Sequence, residues 1–347
     1  MSDVSETTEK RPSFLRRHLF LTAFLGLVGV LLLAAVGGVL YLNNSLGDIE
    51  RVDVTLDEST RPADDEGEAM TVLLLGTDAG TERNGAGSSI LKDAASGDWP
   101  RGKYRSDATM VVHIPADRES AVLMSIPRDS YVPIFDETGQ DTGRNKINSA
   151  LSLYGPSGAI ATVENLTGLR MDHVAMVDWD GFESITDALG GVEMTTDEGT
   201  RTYDGAEALA YVRERYTVAG GDFGRVQRQQ NFLRAVMNQA LDRGTLSSPN
   251  TLRKTLGAVT KNVAVDDEWS NRELATFAYA MRGLRPGDVT FMTVPYTGTD
   301  TVPDAGSIVR LDQRAGEQLY AAVADDQLQQ FLDQNPELLL PDAASVD

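Results

Sequence analysis

Four arginines cluster in one short stretch of this chain, YVRERYTVAGGDFGRVQRQQ, residues 211–230. They are Arg213, Arg215, Arg225 and Arg228, and they surround a glycine-rich loop. The chain around them is acidic, with a formal net charge of −21 at pH 7. A guanidinium group can pair with the protein's own carboxylates or with the oxygens of a bound phosphate. The cluster therefore indicates either an ion-pair network or a site for an anionic ligand.

Charged residues also stand directly beside three apolar runs that predict buried strands. They are Asp78 after TVLLLG (71–76), Arg105 and Asp107 before TMVVHIPA (109–116), and Arg128 after SAVLMSIP (120–127). Asp78 and Asp107 would suit a hard cation, because Mg²⁺ binds a few carboxylates together with phosphate oxygens. Taken singly, each residue also fits a turn cap or a structural ion pair. Combined with the arginine cluster, they favour a metal-dependent phosphate site.

Several other chemistries are excluded by the residues that the chain lacks. It contains no cysteine, which rules out disulfides and thiolate metal sites. Of its three histidines, His18 lies at a predicted membrane boundary, while His113 and His173 lie in or beside predicted strands and are expected to be structural. No Walker loop, dinucleotide-binding glycine motif or serine-nucleophile elbow occurs. Phosphoryl transfer remains compatible, since it needs positioning and charge neutralisation more than a protein nucleophile.

The elements that must position these residues alternate between strands and helices. Further strands are predicted at HVAMVD (173–178) and VTFMTVP (289–295). Amphipathic or capped helices are predicted at 148–155, 156–168, 180–191, 204–216, 225–244, 270–284 and 312–333. Asp180 is the expected cap of the third helix, and Asp204 with Glu207 and Ser270 with Glu273 form capping boxes. This order predicts one α/β domain over 70–333 with a layered α–β–α architecture, in which the polar insertion 80–103 is a mobile loop.

The N-terminal part of the chain predicts a membrane anchor. Residues 20–42 carry no charge and would span roughly 34 Å as a helix, enough to cross the hydrocarbon of a bilayer. Basic residues precede this segment, so residues 1–19 are expected to be a cytoplasmic tail and everything after about residue 43 to lie outside. A polar stalk is predicted at 43–69 and a flexible tail at 334–347. The acidic exported part argues against nucleic acid as a partner.

Six stretches occur in an order that resembles the LytR-CpsA-Psr family. They are LLLGTD, YRSDATMVVHI, SIPRDSYV, KINSAL, DGAEALAYVRERY and GDFGRVQRQQNFL, within about residues 70–325. The resemblance implies that 70–333 is an extracytoplasmic, membrane-tethered catalytic domain. Its expected fold is an α–β–α sandwich with a central mixed sheet and an apolar tunnel for a polyprenyl chain. The apolar faces of 148–168, 206–212 and 232–241 are candidates for the tunnel wall, or are simply core.

The same resemblance implies a role for each matching residue. Asp78 and Asp107 match Mg²⁺ ligands, with Mn²⁺ as the alternative ion. Catalytic contacts to the pyrophosphate fall to Arg105, Arg128, Arg213, Arg215 and Arg225, and substrate binding falls to Lys146, Gln229 and Arg228. A salt bridge is the favoured role of Arg228 within that set. The insertion between Asp78 and Asp107 is longer than in compact family members, and the C-terminal domain of some relatives is not expected here.

The implied reaction moves a glycopolymer from a polyprenyl-pyrophosphate carrier onto peptidoglycan and leaves a phosphodiester link. Two other interpretations stay open. A polyprenyl-pyrophosphate pyrophosphatase would use the same residues with water as the acceptor. A non-catalytic, wall-associated regulator would use none of them for chemistry. The sequence leaves the glycopolymer, the acceptor hydroxyl and the oligomeric state undefined.

Overall fold

The computed structural model of the protein describes residues 49–63, 67, 69–77, 90–196, 199–214, 222–241, 248–343 and 346. For some helical residues among these only the backbone is described, namely Trp179, Asp222, Phe223, Arg225, Leu241, Pro249, Leu252 and Arg282. All described residues belong to a compact unit that spans Leu46–Asp347. The predicted tail 1–19 and membrane segment 20–42 lie outside the described residues. Within the described ranges, no helix is both long enough and apolar enough to cross a membrane.

A seven-stranded mixed sheet forms the centre of this unit; the sequence patterns predicted five of its seven strands, and the family resemblance implied the mixed sheet. Its strands are β1 (Glu50–Val52), β2 (Met70–Thr77), β3 (Ser106–Ile114), β4 (Ala121–Ile126), β7 (His173–Asp178), β10 (Val263–Asp266) and β11 (Val289–Thr293). Their order is β1-β10-β7-β2-β3-β4-β11. β2 runs parallel to β7 and antiparallel to β3, and β3 runs antiparallel to β4. The carboxyl ends of β2, β4 and β7 therefore meet the amino end of β3 at one edge.

Three hairpins stand outside this sheet. They are β5 (Tyr131–Phe135) with β6 (Asp141–Lys146), β8 (Val192–Thr196) with β9 (Gly199–Tyr203), and β12 (Tyr296–Val302) with β13 (Gly306–Leu311). The first of them begins right after β4 and returns the chain to the same edge of the sheet. There Ile147 N–H donates to Ser130 O at 2.8 Å, and Asn148 N–H donates to Arg128 O at 3.2 Å.

Helices cover both faces of the sheet. They are α1 (Ile90–Ala95), α2 (Asn148–Thr167), α3 (Trp179–Ala188), α4 (Gly205–Arg213), α5 (Asp222–Leu241), α6 (Pro249–Asn262), α7 (Asn271–Ala280), α8 (Gln313–Ala324) and α9 (Leu328–Gln334). Apolar side chains of α1, α2, α8 and α9 form the largest core cluster with one face of the sheet, and those of α5, α6 and α7 pack on the other. The two predicted helices at 148–168 form one helix with a kink at Gly155, whose φ is +68° and which precedes Pro156.

The central strands show that the two faces are packed differently. In β2, Leu73 and Leu75 are 0% and 1% exposed on the α2 side, whereas the alternate residues Leu74 and Gly76 are only partly buried. β7 repeats this alternation, because its Val174 is fully buried and the next residue is not. Central strands of a layered α/β domain are ordinarily buried on both faces. The α3–α5 side of the sheet is therefore incompletely filled.

Part of the predicted stalk belongs to the folded unit. Residues 50–52 form β1, which pairs in parallel with β10 at the edge of the sheet. Val52 is fully buried, and Arg61 donates to the buried Glu164 at 2.8 Å. The sequence analysis missed this strand because it has only three residues, ERV, and its partner lies more than 200 positions away. The stalk assignment for 43–69 is thus wrong over residues 49–63.

Other local predictions are also corrected. Residues 90–95 of the predicted mobile loop form α1, where Ile90 is fully buried, while 78–89 lie outside the described residues. The cap of α3 is Asp178 rather than Asp180, since its carboxylate accepts from Gly181 N–H at 2.8 Å. The predicted flexible tail packs on the sheet, because Leu340 N–H donates to Phe291 O at 2.9 Å. The predicted last helix is two helices, α8 and α9, and both predicted capping boxes are confirmed.

We expect Arg61→Ala to lower the free energy of unfolding by about 3–5 kcal/mol, because it leaves the Glu164 carboxylate buried without its cation. Urea titration of the purified full chain measures this loss. Arg310→Ala is the matched control, since Arg310 and Asp300 form an exposed pair whose removal should change the free energy of unfolding very little. A loss for Arg61→Ala no larger than that of the control would mean that residues 49–63 are peripheral to the fold.

Candidate functional site

A local irregularity in the pairing of β2 and β3 positions Asp107. Gly76 pairs with Ala108, but the next residue of β2, Thr77, pairs with Ser106. Asp107 is therefore the extra residue of a β-bulge, which turns a side chain away from the regular alternation of the strand. Asp78 follows Thr77 directly along the chain and lies outside the described residues. Asp107 therefore lies beside the carboxyl end of β2, and the predicted pairing of the two carboxylates stays a prediction.

A chain of ion pairs runs from Asp107 across this edge of the sheet. Arg128 follows β4, and its Nη1 contacts Asp107 Oδ1. The Nε of the same arginine lies 3.6 Å from Asp129 Oδ2, and Lys146 Nζ lies 3.2 Å from Asp129 Oδ1. The carboxylates are 10–11% exposed, and the cations are 21% exposed. We name Asp107, Arg128, Asp129 and Lys146 the edge cluster.

The edge cluster alone is balanced in charge, because it contains two cations and two carboxylates. Binding of a pyrophosphate therefore requires additional positive charge from nearby arginines or from a metal ion. Arg105, which directly precedes β3, is exposed and available for this purpose. Asp129 was not among the predicted site residues, although its position beside Arg128 in SIPRDS was visible in the sequence. In this structure it holds the two cations side by side.

The remaining predicted arginines are described only in part. Arg213 is the last residue of α4, and Arg228 lies on α5 with its Cζ 4.7 Å from the centre of the Tyr211 ring. Arg215 and the side chain of Arg225 lie outside what the structure describes. The ring contact of Arg228 is a cation–π interaction, and its predicted salt bridge stays a prediction.

An apolar cavity of about 230 Å³ lies behind the edge cluster, between the sheet and α3, α4 and α5. Its walls include Leu74, Gly76, Ala108, Met110, Ala175 and Val177 from the sheet, and Phe182, Ile185, Val212, Gln229, Phe232, Leu233 and Val236 from the helices. Thr77 and Ala108, which also line it, are the chain neighbours of Asp78 and Asp107. Two of the candidate tunnel segments, 206–212 and 232–241, contribute to this wall. The third, 148–168, belongs to the core on the opposite face.

A carboxyl and an amide side chain, those of Asp178 and Gln229, are among the polar groups that line the cavity. Gln229, which the sequence analysis predicted to bind substrate, lies on α5 and is 9% exposed. Asp178, which the sequence analysis did not select, is also 9% exposed and pairs in register with Thr77. Burial raises the pKa of the Asp178 carboxyl above its ordinary value, although the hydrogen bond from Gly181 N–H opposes the shift. The Asp178 carboxyl is therefore more easily protonated than an ordinary exposed aspartate.

The donor groups at this edge fit a small, hard cation. No group of three or more His, Cys, Asp or Glu side chains forms a ready cation cage within the described part of the chain. Mg²⁺ needs no such cage, because it commonly binds one or two carboxylates and completes its coordination with water and phosphate oxygens. Asp107, together with Asp78, which follows β2 in the sequence, would supply those carboxylates. The metal site stays a prediction.

The two histidines in the described part of the chain, His113 and His173, lie at the opposite end of the strands from Asp107 and make structural contacts, as predicted. His113 Nδ1 is 3.0 Å from Thr71 Oγ1, near the start of β2. His173 Nδ1 is 3.1 Å from Asp266 Oδ1, and its ring stacks on Trp269 with centroids 4.3 Å apart. Both imidazole rings therefore bind structural partners at the end of the sheet away from Asp107.

Comparison with known proteins gives a family and a fold. The model of the LytR_cpsA_psr family matches residues 42–325, which confirms the resemblance seen in the motifs. The cell wall biosynthesis protein LcpA of Corynebacterium glutamicum is 33% identical over 318 residues, which cover 78% of this chain and 60% of that protein. This chain therefore spans less than two thirds of the length of that relative.

Two further similarities extend the comparison. The polyisoprenyl-teichoic acid–peptidoglycan teichoic acid transferase TagU of Bacillus mycoides is 30% identical over 263 residues, which cover 69% of this chain and 76% of TagU. The crystal structure of protein gbs0355 from Streptococcus agalactiae superposes with a TM-score of 0.61 at 22% identity, covering 76% of this chain and 88% of that one. At this identity the structural similarity confirms the mixed α/β fold and nothing finer.

We expect Arg128→Lys to weaken the binding of inorganic pyrophosphate at least roughly tenfold, because lysine keeps the charge but loses the planar fork that can bind Asp107 and a phosphate together. Isothermal titration calorimetry measures the affinity, and thermal melts check that the fold is intact. The control is Arg314→Lys at an exposed position of α8. Unchanged affinity in Arg128→Lys would leave the arginine with a purely structural ion-pair role.

Proposed function

We propose, from the premise that this chain belongs to the LytR-CpsA-Psr family, that it transfers a cell-wall glycopolymer from a polyprenyl-pyrophosphate carrier onto peptidoglycan. TagU, a relative of the same family, is named as a teichoic acid transferase, which supports a transferase role for this chain. The carrier, the phosphodiester product and the metal dependence are parts of the proposal. Each is argued below from the residues of the site.

One observation carries the proposal: the apolar cavity and the edge cluster share an end. The cavity wall includes Thr77 and Ala108. Asp107 is the chain neighbour of Ala108 and forms the ion pair with Arg128. A polyprenyl pyrophosphate has the same two parts, an apolar chain that gains free energy by leaving water and an anionic head that needs cations. No water-soluble sugar phosphate would need the apolar space.

The proposed reaction is a displacement at the phosphorus that carries the glycopolymer. The oxygen of a wall hydroxyl forms a bond to this phosphorus, and the bond to the bridging oxygen of the pyrophosphate breaks. Polyprenyl monophosphate leaves with the bridging oxygen, and the hydroxyl proton passes to a carboxylate or to solvent. The products are a phosphodiester on the wall and a lipid monophosphate, so that no oxidant or nucleotide is required.

The residues of this chain would act mainly by binding and orienting the charged head. Arg128 and Lys146 lie side by side through Asp129 and can donate to neighbouring phosphate oxygens. Arg105, Arg213, Arg215 and Arg225 would supply the excess positive charge that the edge cluster lacks, and Gln229 would bind at the junction with the cavity. A bound Mg²⁺, held by Asp78 and Asp107, would neutralise charge on the pyrophosphate oxygens.

The proposal also includes the place of the reaction. A tether at 20–42 with the folded unit outside the cell would keep the site near lipid-linked donors and near the wall acceptor. Pyrophosphate hydrolysis is the second candidate reaction, because the edge cluster would serve water and a wall hydroxyl equally. A purely regulatory role is disfavoured by the apolar cavity, which a wall-binding surface would not need.

The transfer reaction itself is the first test. Purified full chain with Mg²⁺, a polyprenyl-pyrophosphate oligosaccharide and peptidoglycan should yield polyprenyl monophosphate and wall-bound sugar phosphate. Asp107→Asn should lose nearly all of this turnover, yet bind inorganic pyrophosphate without metal at least as tightly as the wild type, because Arg128 is released from its ion pair.

Mass spectrometry of the products and calorimetry of the variant decide the outcome. Asp304→Asn, an exposed position in the β12–β13 hairpin, is the control. Release of free sugar phosphate in place of wall attachment would establish hydrolysis instead of transfer. Full turnover by Asp107→Asn would remove this residue from the metal site.

The lipid part of the donor can be tested separately. Val236→Trp places an indole into the cavity and should abolish binding of polyprenyl pyrophosphate while leaving the affinity for inorganic pyrophosphate within about twofold. Ala321→Trp on the exposed face of α8 is the control. Calorimetry with the two ligands in detergent gives both affinities. Equal polyprenyl pyrophosphate affinities of Val236→Trp and the wild type would place the lipid chain elsewhere.

A further inference from the structure

A second pocket lies on the opposite side of the sheet from the apolar cavity, and the proposed function makes no use of it. Its volume is about 280 Å³, near the lower end of the roughly 300–1,000 Å³ typical of small-molecule sites. The chain after β1, the segment 97–101 and the first half of α2 form its walls, and Glu137 from the β5–β6 turn completes them. We name this space the α2 pocket.

Local backbone features build the α2 pocket. The kink at Gly155 lets the backbone of α2 approach the Trp99 ring, since a Cβ at this glycine would lie 3.1 Å from Trp99 Cγ. The loop that carries Trp99 is fixed to the same helix, because Gly102 N–H donates to Ser152 O at 2.8 Å. Lys103 Nζ also binds Asp93 Oδ2 on α1 at 2.6 Å. The pocket is therefore formed before any ligand arrives, which lowers the entropic cost of binding.

The chemistry of the α2 pocket differs from that of the edge cluster. Trp99 and Tyr154 supply aromatic surface, and Asp53, Asp98 and Glu137 supply carboxylates, against a single cation, Arg101. An excess of carboxylates repels the phosphates of a donor. Uncharged sugar hydroxyls, by contrast, can donate to carboxylates, and the apolar face of a sugar ring can lie on an aromatic ring.

Two polar atoms in the pocket wall lack hydrogen-bond partners. They are Trp99 Nε1 and Glu137 Oε2, one a donor and the other an acceptor. The other oxygen of Glu137, Oε1, lies 3.7 Å from Arg101 Nη2, and the Glu137 side chain is 43% exposed, so the partner that a ligand would chiefly supply is the one for the Trp99 indole N–H. After a small side-chain rotation, a single hydroxyl-rich ring could offer an acceptor to the indole N–H and a donor to the carboxylate. A metal ion or a phosphate could satisfy only one of them.

The α2 pocket is also placed within reach of the edge cluster. The N-terminus of α2 is bonded to the backbone of Arg128, and Lys146 lies two residues before it. From Asn148 to Gly155 the helix rises about 10 Å, at 1.5 Å per residue. A ligand in the pocket is therefore separated from the proposed phosphate site by about two helical turns.

We propose that the α2 pocket binds an uncharged sugar unit of the wall glycan that accepts the transferred polymer. This inference rests on the proposed function only where it identifies the sugar as part of the acceptor. The binding of an uncharged saccharide does not depend on that function. Binding there would hold the acceptor chain while one of its hydroxyl groups reaches the phosphate site. It would also favour wall glycan over phosphate-rich polymer, because the carboxylates of the pocket exclude the latter.

The test uses the full chain in detergent with ¹⁵N-labelled tryptophan, whose three indole signals belong to Trp99, Trp179 and Trp269. The spectrum of Trp99→Phe assigns the signal of Trp99. The probe is a tetramer of N-acetylglucosamine, with inorganic pyrophosphate as a second probe and a lysine-containing peptide as a third. We expect the tetramer to shift the signal of Trp99 alone, and pyrophosphate and the peptide to leave it unmoved.

Asp98→Asn, in the exposed part of the loop, should weaken tetramer binding at least fivefold, and Asp304→Asn should not. The inference is overturned by an unmoved Trp99 signal at millimolar tetramer, by equal tetramer affinity in Asp98→Asn and the wild type, or by a response to the peptide in place of the saccharide. Failure of the proposed function looks different, because pyrophosphate binding or turnover would then be missing while the tetramer still shifts Trp99.

Discussion

The close approach of β2 and β3 at one edge of the sheet is the constraint on which the site depends. A Cβ at Gly76 would lie 3.1 Å from the Cβ of Ala108, so a larger residue here would require the two strands to move apart by a few tenths of an ångström. Directly beyond it the register shifts, and Asp107 leaves the regular alternation of β3. The same two small residues form part of the cavity wall. One local feature thus positions a carboxylate on the outside and leaves room for an apolar ligand behind it.

The ion pair between Arg128 and Asp107 extends this constraint to β4 and the β5–β6 hairpin. Through Asp129 the same arginine is connected to Lys146, so residues from three elements are held at fixed relative positions. A site of this kind is pre-organised, because the cations are oriented before the anion binds. The two carboxylates of the edge cluster also neutralise its two cations, so the partly buried cations do not destabilise the protein when no ligand is bound.

The unequal packing of the two sheet faces has an energetic meaning. An unfilled apolar space of about 230 Å³ deprives the side chains that line it of the van der Waals contacts that a packed core would provide. The face that packs against α2 shows no comparable deficit in its central strands, where Leu73 and Val174 are fully buried. An unfilled space directly beside the central strands is typical of a functional site that trades stability for binding.

Sequence patterns predicted the parts of this protein whose information is local. The strands at 71–76 and 173–178 are apolar runs, and the capping box at Asp204 and Glu207 needs only four residues. β1 could not be predicted in this way, because residues Glu50–Val52 form a strand only through their pairing with β10. The role of Asp129 was hidden for the same reason, since it depends on how a hairpin returns Lys146 to the sheet edge. The cavity has no sequence signature, because its lining and the core use the same residue types.

The most direct test of this account is a crystal structure of the complex with polyprenyl pyrophosphate and Mg²⁺. The account predicts that pyrophosphate oxygens lie within hydrogen-bond distance of Arg128 and Lys146, and that the polyprenyl chain fills the space between β2 and α5. A chain bound outside this cavity, or a pyrophosphate bound away from the edge cluster, would contradict it.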